Sequence, residues 1–311
     1  LTDLSGWLIV GVALGLTVAL LAYAPGLDLA RLVTFRNFSG TPGASVWPAT
    51  TNLAWLFALG FLLPAYTITG FDASAHTAEE TQSAARNVPL GMVRAVAVSG
   101  VAGWVMLAAV VLAIPDLEAA AAKGEHAFAW ILATALPKPV ATILNIGIVL
   151  AQYGCGLAAV TSASRMAFAF ARDGGLPFSS AWRWVSPRYG TPVIAIWGVS
   201  ALAFAFTLST PVYATITAVC TIFLYISYVL PTALGAWAHG RTWVQMGPWT
   251  LGLWYRPLAV ICVLGCSILI AIGMQPPYER AGWIVGGSLV VLGVVWLGLE
   301  RRRFPGPPHI Q

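Results

Sequence analysis

The sequence predicts an all-helical protein that crosses a membrane several times, and three observations carry that prediction. Of the 311 residues, 59% are hydrophobic and only 9% charged, whereas a soluble domain needs about 25% charged residues to cover its surface for water. Mean hydropathy is +0.81, and the apolar residues fall in blocks long enough for a helix of about 20 residues to cross a hydrocarbon core. The alternating segments of about ten residues that build an outer-membrane barrel are missing.

Taken in chain order, the blocks predict eight spans at 7–23, 53–76, 95–114, 140–164, 192–208, 212–234, 257–274 and 283–299. The apolar stretch 128–136 is too short to span and reads as a helix lying in a connection. The longest connection, 25–51, is too short for a soluble domain, so residues 1–311 form one membrane domain. Proline and glycine punctuate the helices, and no short-period repeat is present.

Charge placement predicts orientation. Eleven of the sixteen basic residues (Arg86, Arg94, Arg165, Arg172, Arg183, Arg188, Arg241, Arg256 and the three from Arg301 to Arg303) fall on one side of the eight-span scheme. Arg31, Arg36, Lys123, Lys138 and Arg280 fall on the other. The positive-inside rule puts the first side, and with it both termini, in the cytoplasm of a cell whose plasma membrane holds the chain. A net charge of +5 scattered over loops does not form a nucleic-acid footprint. Cys155, Cys220, Cys262 and Cys266 lie within predicted spans and read as small packing residues. The chain opens at Leu1 without methionine, a basic n-region or a small-residue cleavage site. It therefore reads as lacking a signal peptide and as preceded by a missing N-terminal part.

The segment that carries chemistry is 62–87, LLPAYTITGFDASAHTAEETQSAARN. It starts as an ordinary apolar helix and then meets Pro64, Thr67, Thr69, Gly70 and Asp72, the only acidic residue placed inside a span. Pro64 removes a backbone donor and Gly70 is a poor helix residue, which predicts a break around 67–70. Broken backbone at membrane depth persists only inside protein or beside a wet cavity. Carbonyls freed at the end of the first half-helix carry partial negative charge that suits an ammonium group or a cation. The simpler reading is a proline-kinked helix whose Asp72 reaches a polar neighbour. His76, Glu79 and Glu80 read as a solvated face at the helix end.

Other function classes fit less well. The four histidines, His76, His126, His239 and His309, are dispersed, and neither HExxH nor a Gly-x-Ser-x-Gly elbow occurs. The chain is read as no enzyme, with no cofactor and no metal. Repeated pore loops and charged rings, which a channel would need, are not found.

The stretch 70–92, GFDASAHTAEETQSAARNVPLGM, resembles the sixth-helix signature of the amino acid–polyamine–organocation transporters, closest to their amino-acid/choline branch. The stretch 164–177, SRMAFAFARDGGLP, followed by Gly190, Thr191 and Pro192, is similar to the cytoplasmic loop after that family's eighth helix. The resemblance implies a leucine-transporter-like fold of inverted repeats. Matched on these motifs, 7–23 corresponds to the fifth helix and 283–299 to the twelfth, so the first four helices are absent. It further implies a secondary active transporter moving an amino acid, GABA, choline or a polyamine by alternating access. The alternative is a transport-inactive fragment or a transporter-like sensor.

By the same resemblance, Tyr66, Thr67, Thr69, Gly70, Phe71 and Asp72 form the unwound sixth-helix region. Carbonyls near 67–70 would receive the substrate amine, and Tyr66 and Phe71 would add a cation–π wall or serve in packing. Asp72 would carry a proton or stabilise the break. Asn145, Gln152, Tyr153, Thr161, Ser162 and Ser164 lie on the eighth-helix equivalent. Thr161 and Ser162 are ion-coupling candidates for Na+, set against a role in helix packing. The lysine that some proton-coupled relatives place on the fifth helix is absent from 7–23. Tyr225 and Tyr228, near Ser227 and Pro231 on the tenth-helix equivalent, are candidates for a gate or for packing, and Tyr225 joins the substrate site. Gly11 with Gly15, and Gly282 with Gly286, have the spacing of close helix contacts, inside the protein or across a homo-oligomer seam.

Overall fold

A computed structural model describes residues 2–24, 26–40, 49–209, 213–276 and 278–304. Val212, the expected start of one span, and His309 lie outside the described residues. The described chain is helical, with no strand and one isolated bridge between His239 and Trp243. Seven helical stretches are long and apolar enough to cross a membrane: Ser5–Tyr23, Leu53–His76, Ala84–Ala113, Lys138–Arg172, Thr215–Ala238, Gly252–Gly273 and Glu279–Arg303. The expected span at 192–208 is a shorter apolar helix, Val193–Leu208. The protein is a multi-pass membrane protein.

The chain divides into two compact units. The first comprises Leu1–Gly60 and Arg94–Ala158, the second Phe61–Val93 and Ala159–Gln311.

In the first unit, α1 (Thr2–Tyr23) packs on the first part of α8 (Lys138–Arg172). A buried cluster joins Leu16 and Leu20 of α1 and Ala109 and Ala113 of α5 (Ala84–Ala113) to Leu132 of α7 (Ala127–Ala135) and Leu144 of α8. The seam between α1 and α8 is made by glycine. A Cβ at Gly147 would lie 2.9 Å from Val12 Cγ2, and one at Gly154 would lie 2.7 Å from Ser5 Cβ. Small residues of this kind let helix backbones approach closely where no hydrophobic driving force acts. Gly15, expected at a seam, faces Leu144 at an ordinary 3.8 Å, while Gly11 faces open space. The same unit holds α2 (Leu53–Gly60) and α6 (Leu117–Ala122), the latter capped by the Asp116 carboxylate, which accepts from the Glu118 and Ala119 N–H groups. Arg31 donates to the Ile114 carbonyl at 2.6 Å, just past the end of α5.

In the second unit, α11 (Tyr213–Ala238) is the central helix, packing on α12 (Tyr255–Gly273), α13 (Glu279–Val295) and α3 (Leu62–Ile68). Its buried Ala218, Val219 and Ile222 meet Ala281 and Val285 of α13. Gly273 sits against Ile222 and Leu62, with 3.2 Å from a would-be Cβ to Ile222. Gly282 packs on Met274 while Gly286 faces open space. The unit is completed by α4 (Ala73–His76), α9 (Ser179–Trp182), α10 (Val193–Ser209) and α14 (Arg301–Arg303).

Two expectations need correction. The stretch 164–177 is not wholly a loop. Residues up to Arg172 continue α8, and the chain leaves the helix only at Asp173 and Gly174, the latter with φ 81°. Ala and Phe dominate this stretch and favour continuation, so the helix runs well past 164. Likewise α5 begins at Ala84, about three turns before the expected 95, and Pro89 inside it removes one backbone hydrogen bond without ending the helix.

Candidate functional site

The span Leu53–His76 is broken twice. Pro64 lacks the N–H that would close a bond to the carbonyl four residues back, and the helix is interrupted at Phe61. The second break is the one that matters chemically. α3 ends at Ile68, Thr69 is extended (φ −66°, ψ 164°), Gly70 is left-handed (φ 88°), and α4 resumes at Ala73. Only glycine enters that left-handed region without steric cost. The break thus covers 69–72, two residues later than 67–70. Thr69 delays it by closing the last turn of α3, its N–H and hydroxyl both donating to the Tyr66 carbonyl at 3.1 and 2.6 Å.

A helix end leaves four carbonyls without intrahelical donors, here those of Ala65, Tyr66, Thr67 and Ile68. Ala65 accepts from the Tyr225 hydroxyl at 3.3 Å, and Tyr66 accepts from Thr69. Thr67 and Ile68 find no donor for their carbonyls among the described residues. The Thr67 hydroxyl turns back to Leu63 at 3.0 Å. Two oxygens at the negative end of a half-helix are therefore available to a donor from outside the chain.

Across the break stands α11. Tyr228 donates its hydroxyl to Asp72 Oδ1 at 2.9 Å and accepts from the Gly70 N–H at 3.4 Å. His76 Nε2 lies 3.2 Å from Asp72 Oδ2, so both carboxylate oxygens are engaged. The Phe71 ring lies 4.8 Å from that of Tyr228, tilted by 38°, and Tyr225 meets Tyr228 edge-on at 5.9 Å. Three aromatic rings thus cluster at the break, and aromatic rings are groups that attract a cation.

Past α4, the chain is fastened to the end of α8. Glu80 forms a bidentate pair with Arg165 (2.7 and 2.9 Å), and Glu79 forms one with Arg172 (2.9 and 2.9 Å). The two arginines are two turns apart and share one face of α8. The Arg172 guanidinium, mainly through its hydrogen bonds, holds the Glu79 carboxyl below the ordinary glutamate range. This clamp joins the two motifs that carried the family resemblance.

A cavity of about 710 Å³ opens elsewhere, in the first unit, lined by Arg31, Arg36, Asp116 and Phe38 among others. It holds no interrupted helix, so the break remains the better candidate site.

The amino acid permease family model matches residues 2–299. The chain belongs to the amino acid permease family. It is similar to the amino-acid permease BAT1 of Arabidopsis thaliana, 32% identical over 97% of this chain and 61% of that protein. A BAT1 homolog of Oryza sativa subsp. japonica is also 32% identical, over 81% of this chain and 52% of its own length. A GABA-specific permease of Saccharomyces cerevisiae is 26% identical over 82% of this chain and 48% of its own length. The chain therefore spans between about half and three-fifths of the length of these relatives.

Within this permease-family chain, the structure brings together six of the residues proposed for the substrate site: Thr67, Thr69, Gly70, Phe71, Asp72 and Tyr225. Tyr66 is half-buried in the last turn of α3 and contributes a carbonyl that Thr69 already occupies. Thr161 and Ser162 are half-buried on α8. The Thr161 carbonyl accepts the Ser164 hydroxyl at 3.0 Å, and Ser162 has no hydrogen-bond partner among the described residues.

Sequence reasoning underrated four residues. Tyr228, read as gate or packing, is the partner of Asp72. His76, read as part of a solvated face, binds the same carboxylate, and the i,i+4 spacing from Asp72 was the available signal. Glu79 and Glu80 are solvated but paired, and the spacing of Arg165 and Arg172 was their only trace.

Proposed function

We propose that the protein is a secondary active permease that moves an amino acid or a related amine such as GABA or choline across the plasma membrane by alternating access. One observation carries this reading: a broken membrane helix whose Thr67 and Ile68 carbonyls have no donor among the described residues, with the rings of Phe71, Tyr225 and Tyr228 clustered at the break. The Thr67 and Ile68 carbonyls receive the substrate ammonium, and the rings provide the cation–π wall, which serves a primary amine and a quaternary one alike. Asp72 acts through Tyr228 and His76. It fastens α4 to α11 and so holds the break open. Both termini face the cytoplasm in this reading, and the clamp from Glu79 and Glu80 to α8 lies on that side.

The test is uptake in proteoliposomes, with radiolabelled alanine, GABA, choline and putrescine offered in turn. Proton and sodium gradients are imposed separately, because either ion can drive symport. Accumulation of at least one amine above protein-free vesicles is expected, and gradient dependence identifies the coupling ion. Binding without uptake would instead favour a sensor of the same fold.

A further inference from the structure

The connection between α11 and α12 is used by nothing described above. The spans it joins end at Ala238 and resume at Gly252, so residues 239–251 lie at a membrane surface. Apolar side chains in it and at the start of the next span are out of the protein: Val244 is 72% exposed, Leu253 98% and Trp254 69%. Such surface is costly in water and suits the edge of the hydrocarbon.

The connection begins in a built turn. The Ala238 carbonyl accepts the N–H groups of Arg241, Thr242 and Trp243 at 2.9, 3.1 and 3.1 Å, and Gly240 returns its N–H to the Trp243 carbonyl at 3.0 Å. Arg241 sits at the apex, its guanidinium 5.8 Å from the Trp237 ring. Arg256 reaches back from α12 to the base of the same turn, Nη2 donating to the His239 carbonyl at 2.7 Å. The His239 ring stacks on Tyr255 at 4.7 Å, and Trp243 meets Tyr255 edge-on at 5.6 Å, which fixes the turn against α12. Capping the end of α11 accounts for one nitrogen of Arg256 and for nothing of Arg241.

Neither guanidinium pairs with a carboxylate among the described residues, and no Asp or Glu occurs between Asp173 and Glu279. Two arginines flank one rigid turn, aromatic residues surround it, and the flanking apolar side chains point outward.

We propose that this turn is a binding site for the phosphate of an anionic phospholipid headgroup, held between Arg241 and Arg256, while Val244, Leu253 and Trp254 enter the adjoining acyl region. The site rests on the membrane reading alone and is independent of transport. Guanidinium is the side chain suited to such a group, because its planar N–H pairs match phosphate oxygens.

The test is native mass spectrometry of the protein in detergent with equal amounts of phosphatidylglycerol and phosphatidylcholine added. Wild type is expected to retain phosphatidylglycerol at collision energies that strip phosphatidylcholine. Each basic residue at an anionic surface is worth about a factor of five, so the Arg241→Gln, Arg256→Gln variant should lower that preference by up to about thirtyfold. Arg256 also caps α11, so Thr242→Glu serves as a second variant that leaves the cap in place, and it should abolish the preference too. Arg188→Gln, in another loop, should leave it unchanged. Equal retention of the two lipids by wild type would overturn the proposal. So would a preference that survives Thr242→Glu, or displacement of the lipid by millimolar inorganic phosphate, which would mark a soluble-anion site.

Discussion

The Tyr228 hydroxyl donates to the Asp72 carboxylate at 2.9 Å and accepts from the Gly70 N–H at 3.4 Å. One side chain of α11 thereby holds both the acid and the left-handed glycine of the broken helix. Tyr228→Phe removes both bonds and leaves Asp72 with His76. A hydrogen bond to a charged group is worth about 1.5–3 kcal/mol, so thermal unfolding in detergent should show a loss near the lower figure. Amine binding should weaken with it. Asp72→Asn, which keeps an acceptor for Tyr228, should be milder than Asp72→Ala, and an equal effect of the two would place the role in the charge.

Gly70 is required by its backbone, not by crowding. A Cβ there would meet nothing within 4 Å, but φ is 88°. Gly70→Ala should cost about 1–2 kcal/mol through left-handed strain. Gly103→Ala in the middle of α5, also in open space, should instead gain up to about 1 kcal/mol from helix propensity. Opposite signs in the same unfolding assay are the expected outcome.

The pairs Glu80–Arg165 and Glu79–Arg172 are exposed, so each should contribute only about 0.5 kcal/mol in a double-mutant cycle, and less at high salt. Because Arg172 depresses the Glu79 carboxyl, this contribution is fully present above the ordinary glutamate range. It is lost as pH falls through the lower value of the folded state. Unfolding followed through that acid window should show the loss in wild type and not in Glu79→Gln.

The α1–α8 seam predicts overpacking. Gly147→Ala brings a methyl to 2.9 Å from Val12 and should cost about 1–3 kcal/mol. Val12→Ala on the same chain should recover part of that loss. Absence of recovery would move Val12 away from Gly147.

The spans and the broken helix were legible because each depends on local signals: apolar length, Pro64, Gly70. Position was less so. Thr69 closes α3 with its own hydroxyl, a side-chain bond that hydropathy does not register, and this shifts the break to 69–72. Tyr228 is more than a hundred and fifty residues from Asp72, so nothing in the spacing of either motif paired them. The arginines of 164–172 looked like loop charges because the extension of α8 was unseen. Once that stretch is helical, Arg165 and Arg172 fall on one face and can meet adjacent acids.

The central claim is that the break receives an amine. It is tested most directly by scintillation-proximity binding of matched ligands that differ only in that group, GABA against butyrate and alanine against propionate. Binding by at least one amine of these pairs and at least a tenfold weaker response to its deaminated partner is the predicted result. Equal binding of the two members would contradict the account.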